Sequence, residues 1–365
     1  MSDESVRSIG TVAAETAVEV GWAHWSCLTT AVSVDQPRVW TIVDPEALIL
    51  LSLTVRDRER RLNDLLAGWA RVGSTLLSVQ RLNTLARDFP PAVREQVSDF
   101  ARSAADAGDR RWRSHAADRE DLHGPPPREK ELGPLRLLEG PALMLRLRAG
   151  IGVGAKADLL TVLLGLGGAA AELKTIALAA GYSDRAMRTA AEEMARARFI
   201  HEIEGPRRAY RADPQAWGKL LEIRRVRSRS APQQGIPPWR FWSGAFAFLS
   251  AVICWEREAH QAGWSSYVAS SRARDLVDRH GRQLRYTNIA VPGGTEARGA
   301  DYLDAFRAFV QQVSTWTRRS LRSGPVANPA RSTERQRRGS LEGEVVVPDL
   351  FFEPLPPEES DAWGQ

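Results

Sequence analysis

Cysteine is nearly absent: Cys27 and Cys254 are the only two in 365 residues, too few and too scattered for a disulfide framework or a thiolate zinc site. The histidines His24, His115, His123, His201, His260 and His280 show no metal-ligand spacing. No glycine-rich loop ends in Lys-Ser or Lys-Thr, and no Gly-x-Ser-x-Gly elbow is present. The glycine-rich stretch at 150–154 joins two helical patterns instead of following a strand, which argues against a nucleotide role. The carboxylate pairs Glu192-Glu193 and Glu358-Glu359 read as solvated acids. The expectation is therefore a non-enzymatic protein with no catalytic residue, no metal site and no cofactor.

Long apolar runs are missing as well. Residues 241–255 hold no charge, but the run is shorter than the roughly 20 residues a membrane span needs and is interrupted by Ser243, Gly244 and Ser250. It reads as a buried helix, with no membrane partner. Residues 2–7 are polar and charged where a signal peptide would place apolar residues. Together with the scarce cysteines, this predicts a reducing, cytoplasmic setting.

What is present is enough apolar material, 43% of the chain, for ordinary cores in two or three domains. The net charge of +5 conceals an asymmetry. Residues 342–365 carry seven acids and no base, which leaves +12 on the rest of the chain. A basic body suits a polyanionic partner.

Residues 1–121 read as an N-terminal helical domain. An amphipathic stretch covers 5–30, a short β-like step follows at 39–43, and Asp44 with Pro45 opens a helix as N-cap and first helical residue. Leu62, Leu65, Leu66 and Trp69 share a face of the next helix, and Ser78 caps a short one carrying Leu82 and Leu85. Charge, glycine and Pro125-Pro126-Pro127 make 103–135 a linker. Residues 136–230 form the central domain, with helices over 141–148 and 155–166, a helix opened by Asp213-Pro214, and a basic run at 219–229. Residues 236–322 form a C-terminal helical domain with helices over 241–255, 265–279 and 301–321. Residues 323–365 have the composition of a disordered tail, in which the apolar stretch 345–352 suits docking to a protein partner.

The most informative stretch is 173–211, which reads helix, tight turn, helix, hairpin. Ala177 is small where two helices approach, Gly181 can adopt the positive φ that ends the first helix, and Ser183 can cap the second. The residues that should cap the first helix, Ala170 or Ala171, lack a side-chain acceptor. Met187, Ala190, Ala191 and Met194 form a buried stripe at helical spacing, opposite Arg185, Arg188, Thr189, Glu192 and Arg196. Residues 199–203 and 209–211 then read as two strands, with Arg207 and Arg208 projecting from the turn between them.

Residues 155–213 resemble the bacterial winged helix-turn-helix regulators of the MarR and ArsR type. The resemblance implies a transcriptional regulator that binds double-stranded DNA, with Ser183, Arg185, Arg188 and Thr189 on the groove-facing helix and Arg207 and Arg208 on the wing. It also implies a homodimer, because two half-sites are the usual target. The fold class expected is mainly α: a multidomain helical protein with a central winged helix-turn-helix and a disordered C-terminal tail. An assembly or antitoxin-like protein, whose winged helix holds a protein partner, is the alternative.

Overall fold

The computed structural model describes residues 3–32, 39–116, 132–205, 207–223, 235–284, 287, 289–292 and 301–322. The tail at 323–365, the proline run at 125–127 and most of the basic run at 219–229 lie outside the described residues. The fold is mainly helical.

Helix α2 (Pro45–Val55) is the centre, and every one of its residues is buried. Its start follows from the sequence, since Asp44 accepts from the Ala47 N–H and Pro45 occupies the first turn. Around it pack α1 (Asp3–Leu28), α3 (Arg60–Val72), α4 (Val79–Ala86), α5 (Pro91–Asp106) and α11 (Trp242–Gln261). Some of the polar side chains inside pair with each other, whereas His24 and the Trp69 and Trp112 indoles are buried without a hydrogen-bond partner among the described residues. Trp25 Nε1 donates to Ser52 Oγ at 2.9 Å, and Thr54 Oγ1 donates to Ser250 Oγ at 2.8 Å. Where α1 crosses α11, Gly10 lies against Glu256, and a Cβ there would come within 2.4 Å of the glutamate stem.

Helices α12 (Ser266–Leu284) and α13 (Tyr302–Arg322) flank α11. As the spacing predicts, Leu303, Phe306, Val310 and Val313 point inward, and they join the core that α1 to α5 also build. The charge-free run at 241–255 lies in the interior α11, and among the described residues no helix is long and apolar enough to cross a membrane.

Three expectations are corrected. Residues 39–43 form no strand, because among the described residues no strand lies beside them to build a ladder. Instead the N–H groups of Trp40, Ile42 and Val43 donate to the carbonyls of Leu321, Pro238 and Pro141 at 2.7, 3.1 and 2.9 Å, so the segment clasps three distant parts of the chain. The linker does not begin at 103. Helix α5 continues to Asp106, and a 3-10 turn at Arg110–His115 buries Trp112 edge-on against Phe100. Ala171 caps nothing: it forms β1 (Ala171–Glu172), and Glu172 becomes the N-cap residue of the next helix without a side-chain bond.

A second core lies beside the first. It is built from α6 (Leu143–Ile151), α7 (Ala155–Gly165), α8 (Leu173–Ala180), α9 (Asp184–Arg196) and a small sheet, with α10 (Pro214–Leu220) after it. Strands β2 (His201–Ile203) and β3 (Ala209–Arg211) form the expected antiparallel hairpin, with Glu202 opposite Tyr210. Strand β1 adds to the other side of β3, giving the antiparallel order β1-β3-β2.

Candidate nucleic-acid interface

The α8–α9 turn has the local chemistry that its sequence predicts. Gly181 takes φ 71° and ψ 36°, the left-handed conformation that ends α8, and the Tyr182 N–H returns to the Ala177 carbonyl at 3.0 Å. A side chain at 181 would be strained, and its Cβ would also lie 3.1 Å from a Leu85 methyl group. Ser183 Oγ then accepts from the Ala186 N–H at 3.3 Å and caps α9.

The surroundings of this turn were not expected from the sequence. Two guanidiniums, Arg81 on α4 and Arg148 on α6, are fully buried among the carboxylates of Asp44, Glu46 and Asp158. Arg81 grips Asp44 with both Nη atoms at 2.6 and 2.7 Å, shares Glu46 at 2.6 Å, and donates through Nε to the Ala180 carbonyl. Arg148 grips Asp158 at 2.7 and 2.8 Å and reaches Glu46 at 2.6 Å. Tyr182 closes the group by donating from its hydroxyl to Asp158 at 2.9 Å. Burial pushes Glu46 up, but Arg148 and Arg81 overcome it and hold the carboxyl below its usual range. Burial, reinforced by the Asp158 charge, pushes the Tyr182 hydroxyl well above the ordinary tyrosine value. The turn is thus fixed to the helical body by charge-assisted hydrogen bonds.

From this anchor α9 presents two faces. Met187, Ala190, Ala191 and Met194 are buried as predicted, and Arg185, Arg188, Thr189, Glu192 and Arg196 are exposed. Neither Arg185 nor Arg188 has a carboxylate partner among the described residues, so both carry unneutralised charge into solvent. The Thr189 hydroxyl donates to the Arg185 carbonyl at 3.2 Å.

The hairpin arginines behave differently. The sequence lets them project from the turn, but both fold back onto acids. Arg207 Nη1 lies 3.3 Å from Glu172, while Arg208 Nη1 lies 2.7 Å from Glu192 and its Nε 3.9 Å from Glu202. Glu193 is likewise engaged by Lys156. A cleft results, walled by α9 on one side and the hairpin on the other, with Lys174 and Arg188 adding positive charge and Asp184 negative charge to its lining. The sequence pattern missed Lys156, Lys174 and Glu172, because their roles depend on β1 and on helix packing.

Among the described residues no group of histidine, cysteine and acidic side chains could hold a metal ion. No family model matches this chain, and no curated protein or solved structure was found to match it.

Proposed function

We propose that the chain is a cytoplasmic DNA-binding transcriptional regulator that reads duplex DNA as a homodimer through a winged helix-turn-helix at residues 155–211. The observation that carries this reading is the order α7-β1-α8-α9-β2-β3 with sheet order β1-β3-β2, combined with an outer face of α9 whose Arg185 and Arg188 have no carboxylate partner among the described residues. In a helix-turn-helix the second helix enters the major groove and contacts base edges from its N-terminal residues. Arg185 and Arg188 occupy the first two turns of α9, and the helical body leaves them exposed. Arg188 also borders the cleft that the hairpin closes.

The test is a titration of the full-length protein with labelled duplex from the region upstream of its own gene, followed by fluorescence anisotropy. Wild type should bind with an affinity that falls as salt rises. The fourfold change of Arg185, Arg188, Arg207 and Arg208 to Ala should abolish binding while leaving the circular dichroism spectrum intact. Equal affinity of the two proteins would refute the reading.

One observation favours the alternative, a protein-binding assembly module. Phe199 is 48% exposed beside Trp217, and Leu220 on α10 is 70% exposed, so apolar surface remains uncovered near the hairpin. On that reading the fourfold variant keeps its function and substitutions at Phe199 and Leu220 abolish it.

A further inference from the structure

Glu192 stands where a surface that meets phosphates would be expected to avoid negative charge. It lies on the same face of α9 as Arg188, one helical turn further on, and its Oε1 accepts from Arg208 at 2.7 Å. The pair is exposed, and solvent screening leaves such pairs weak, so it contributes little to folding and exchanges easily. The exchange still has a chemical consequence. If Arg208 leaves for a phosphate, Glu192 becomes a bare carboxylate facing DNA. In the major groove a carboxylate finds its favourable partner in the N4 amino group of cytosine, and it is repelled by the acceptor edges of guanine and by the thymine O4.

The backbone is built for side-chain exchange alone. The Arg208 carbonyl accepts from the Leu173 N–H at 3.2 Å, which fixes its main chain beside the start of α8. Glu192 is held in the middle of α9 between the buried residues Ala191 and Met194. Rotation of the two side chains is all that breaks the pair.

Resting on the DNA-binding reading above, we propose that Glu192 and Arg208 form a base-gated latch. Glu192 releases Arg208 to a phosphate where it accepts a hydrogen bond from a cytosine amino group, and elsewhere it keeps Arg208 as a counter-ion beside Glu202. The phosphate grip of the hairpin then depends on the base that α9 reads, so the acid restrains binding to unrelated sequence.

Full-length wild type, E192Q, R208A and the double variant are compared on two probes: a mixed-sequence duplex, and the duplexes that wild type enriches from a randomised pool. Glutamine keeps the size of the side chain but loses the nearer of the two charges beside Arg208, leaving Glu202 at 3.9 Å, and it both donates and accepts, so it does not single out cytosine. E192Q should bind mixed-sequence duplex about fivefold more tightly, a modest gain in keeping with the release of an exposed pair. Its salt slope should steepen by about one unit. Its own enriched sites should lose one cytosine position. In the R208A background the same change should leave the salt slope where R208A put it, because no arginine remains to be released. An equal steepening in that background would show simple charge removal and overturn the latch, as would an unchanged cytosine preference in E192Q. If wild type enriches no sequence at any salt concentration, the DNA-binding reading falls and the latch with it.

Discussion

Arg81 Nε donates to the carbonyl of Ala180 at 2.6 Å, across 99 residues of chain, and so binds the last turn of α8 to the helical body. The bond satisfies a carbonyl left open at the helix end. It also makes the angle at which α9 leaves the body depend on a side chain from α4. Removing one member of such a buried group strands the others without counter-charge, which typically costs about 3–5 kcal/mol. Arg81→Met should destabilise the protein by about that amount in urea denaturation. It should also speed amide exchange selectively at residues 177–186. Wild-type stability in this variant would mean that the buried charges are compensated elsewhere.

Tyr182 provides a gentler probe of the same joint. Tyr182→Phe removes only the hydroxyl that donates to Asp158. A hydrogen bond to a charged group is worth about 1.5–3 kcal/mol, and the loss in thermal denaturation should fall in that range.

Acid should weaken the fold in a defined window. His24 is buried against Trp242 and Phe246 with neither ring nitrogen hydrogen-bonded, and burial lowers its pKa from 6.5 to about 3. His280, packed against Phe248, is lowered to about 4 by burial and then by the charge of Arg279. Below pH 6.5 the unfolded chain takes up protons that the folded protein refuses. The stabilisation is therefore complete above pH 6.5 and is lost as pH falls towards 4 and 3, by about 1.4 kcal/mol per unit for each histidine. Glu46, held below its ordinary value of 4.5, adds loss in the same direction once pH falls below 4.5, where the unfolded carboxyl begins to take up its proton. Urea midpoints measured from pH 7 to 4 should fall, and His24→Leu should flatten that slope. A slope unchanged by His24→Leu would assign the acid sensitivity to other groups.

The aromatic cluster around α11 should be intolerant of truncation. Phe248 meets Phe309 and Phe306 with ring centroids 5.1 and 6.3 Å apart. Phe248→Ala should cost about 3–5 kcal/mol by the lost burial and the cavity it leaves, readable as a lowered denaturation midpoint in the full chain.

On DNA, Arg185→Ala and Arg188→Ala should each weaken binding to the preferred sequence by about 1–3 kcal/mol if the arginines read bases bidentately. Arg207→Ala should weaken all sequences alike and reduce the salt slope by about one unit. Anisotropy titrations on preferred and mixed duplexes separate the two patterns, and a uniform loss for Arg185→Ala would make it a phosphate contact.

Features set by local chemistry were legible in the sequence. Asp44, Ser78, Ser183 and Asp213 all cap the helices they were expected to cap, since a cap involves only neighbouring atoms. The stripe from Met187 to Met194 and the hairpin after it were equally plain. Two residues of β1 carry no periodicity to detect, and their strand exists only because β3 offers an edge. Arg81 and Arg148 carry no signal in the sequence, since nothing nearby in the chain tells that Asp44, Glu46 and Asp158 converge on them. At the candidate site, Arg185 and Arg188 stand out through helical spacing, whereas the folding back of Arg207 and Arg208 depends on acids 35 and 16 residues away.

The wholly buried α2 also constrains how the chain can be made. One of its sides is covered by α11, through contacts such as Thr54 with Ser250, and α11 is synthesised almost 200 residues later. While the chain emerges from the ribosome, the apolar residues of α2 must wait without their final cover, the situation in which chaperones are recruited and aggregation competes. A nascent chain stopped at residue 223 would already contain α9 and the hairpin, yet it would leave α2 open on that side. The elements proposed to meet DNA are thus translated well before the body that holds them can close.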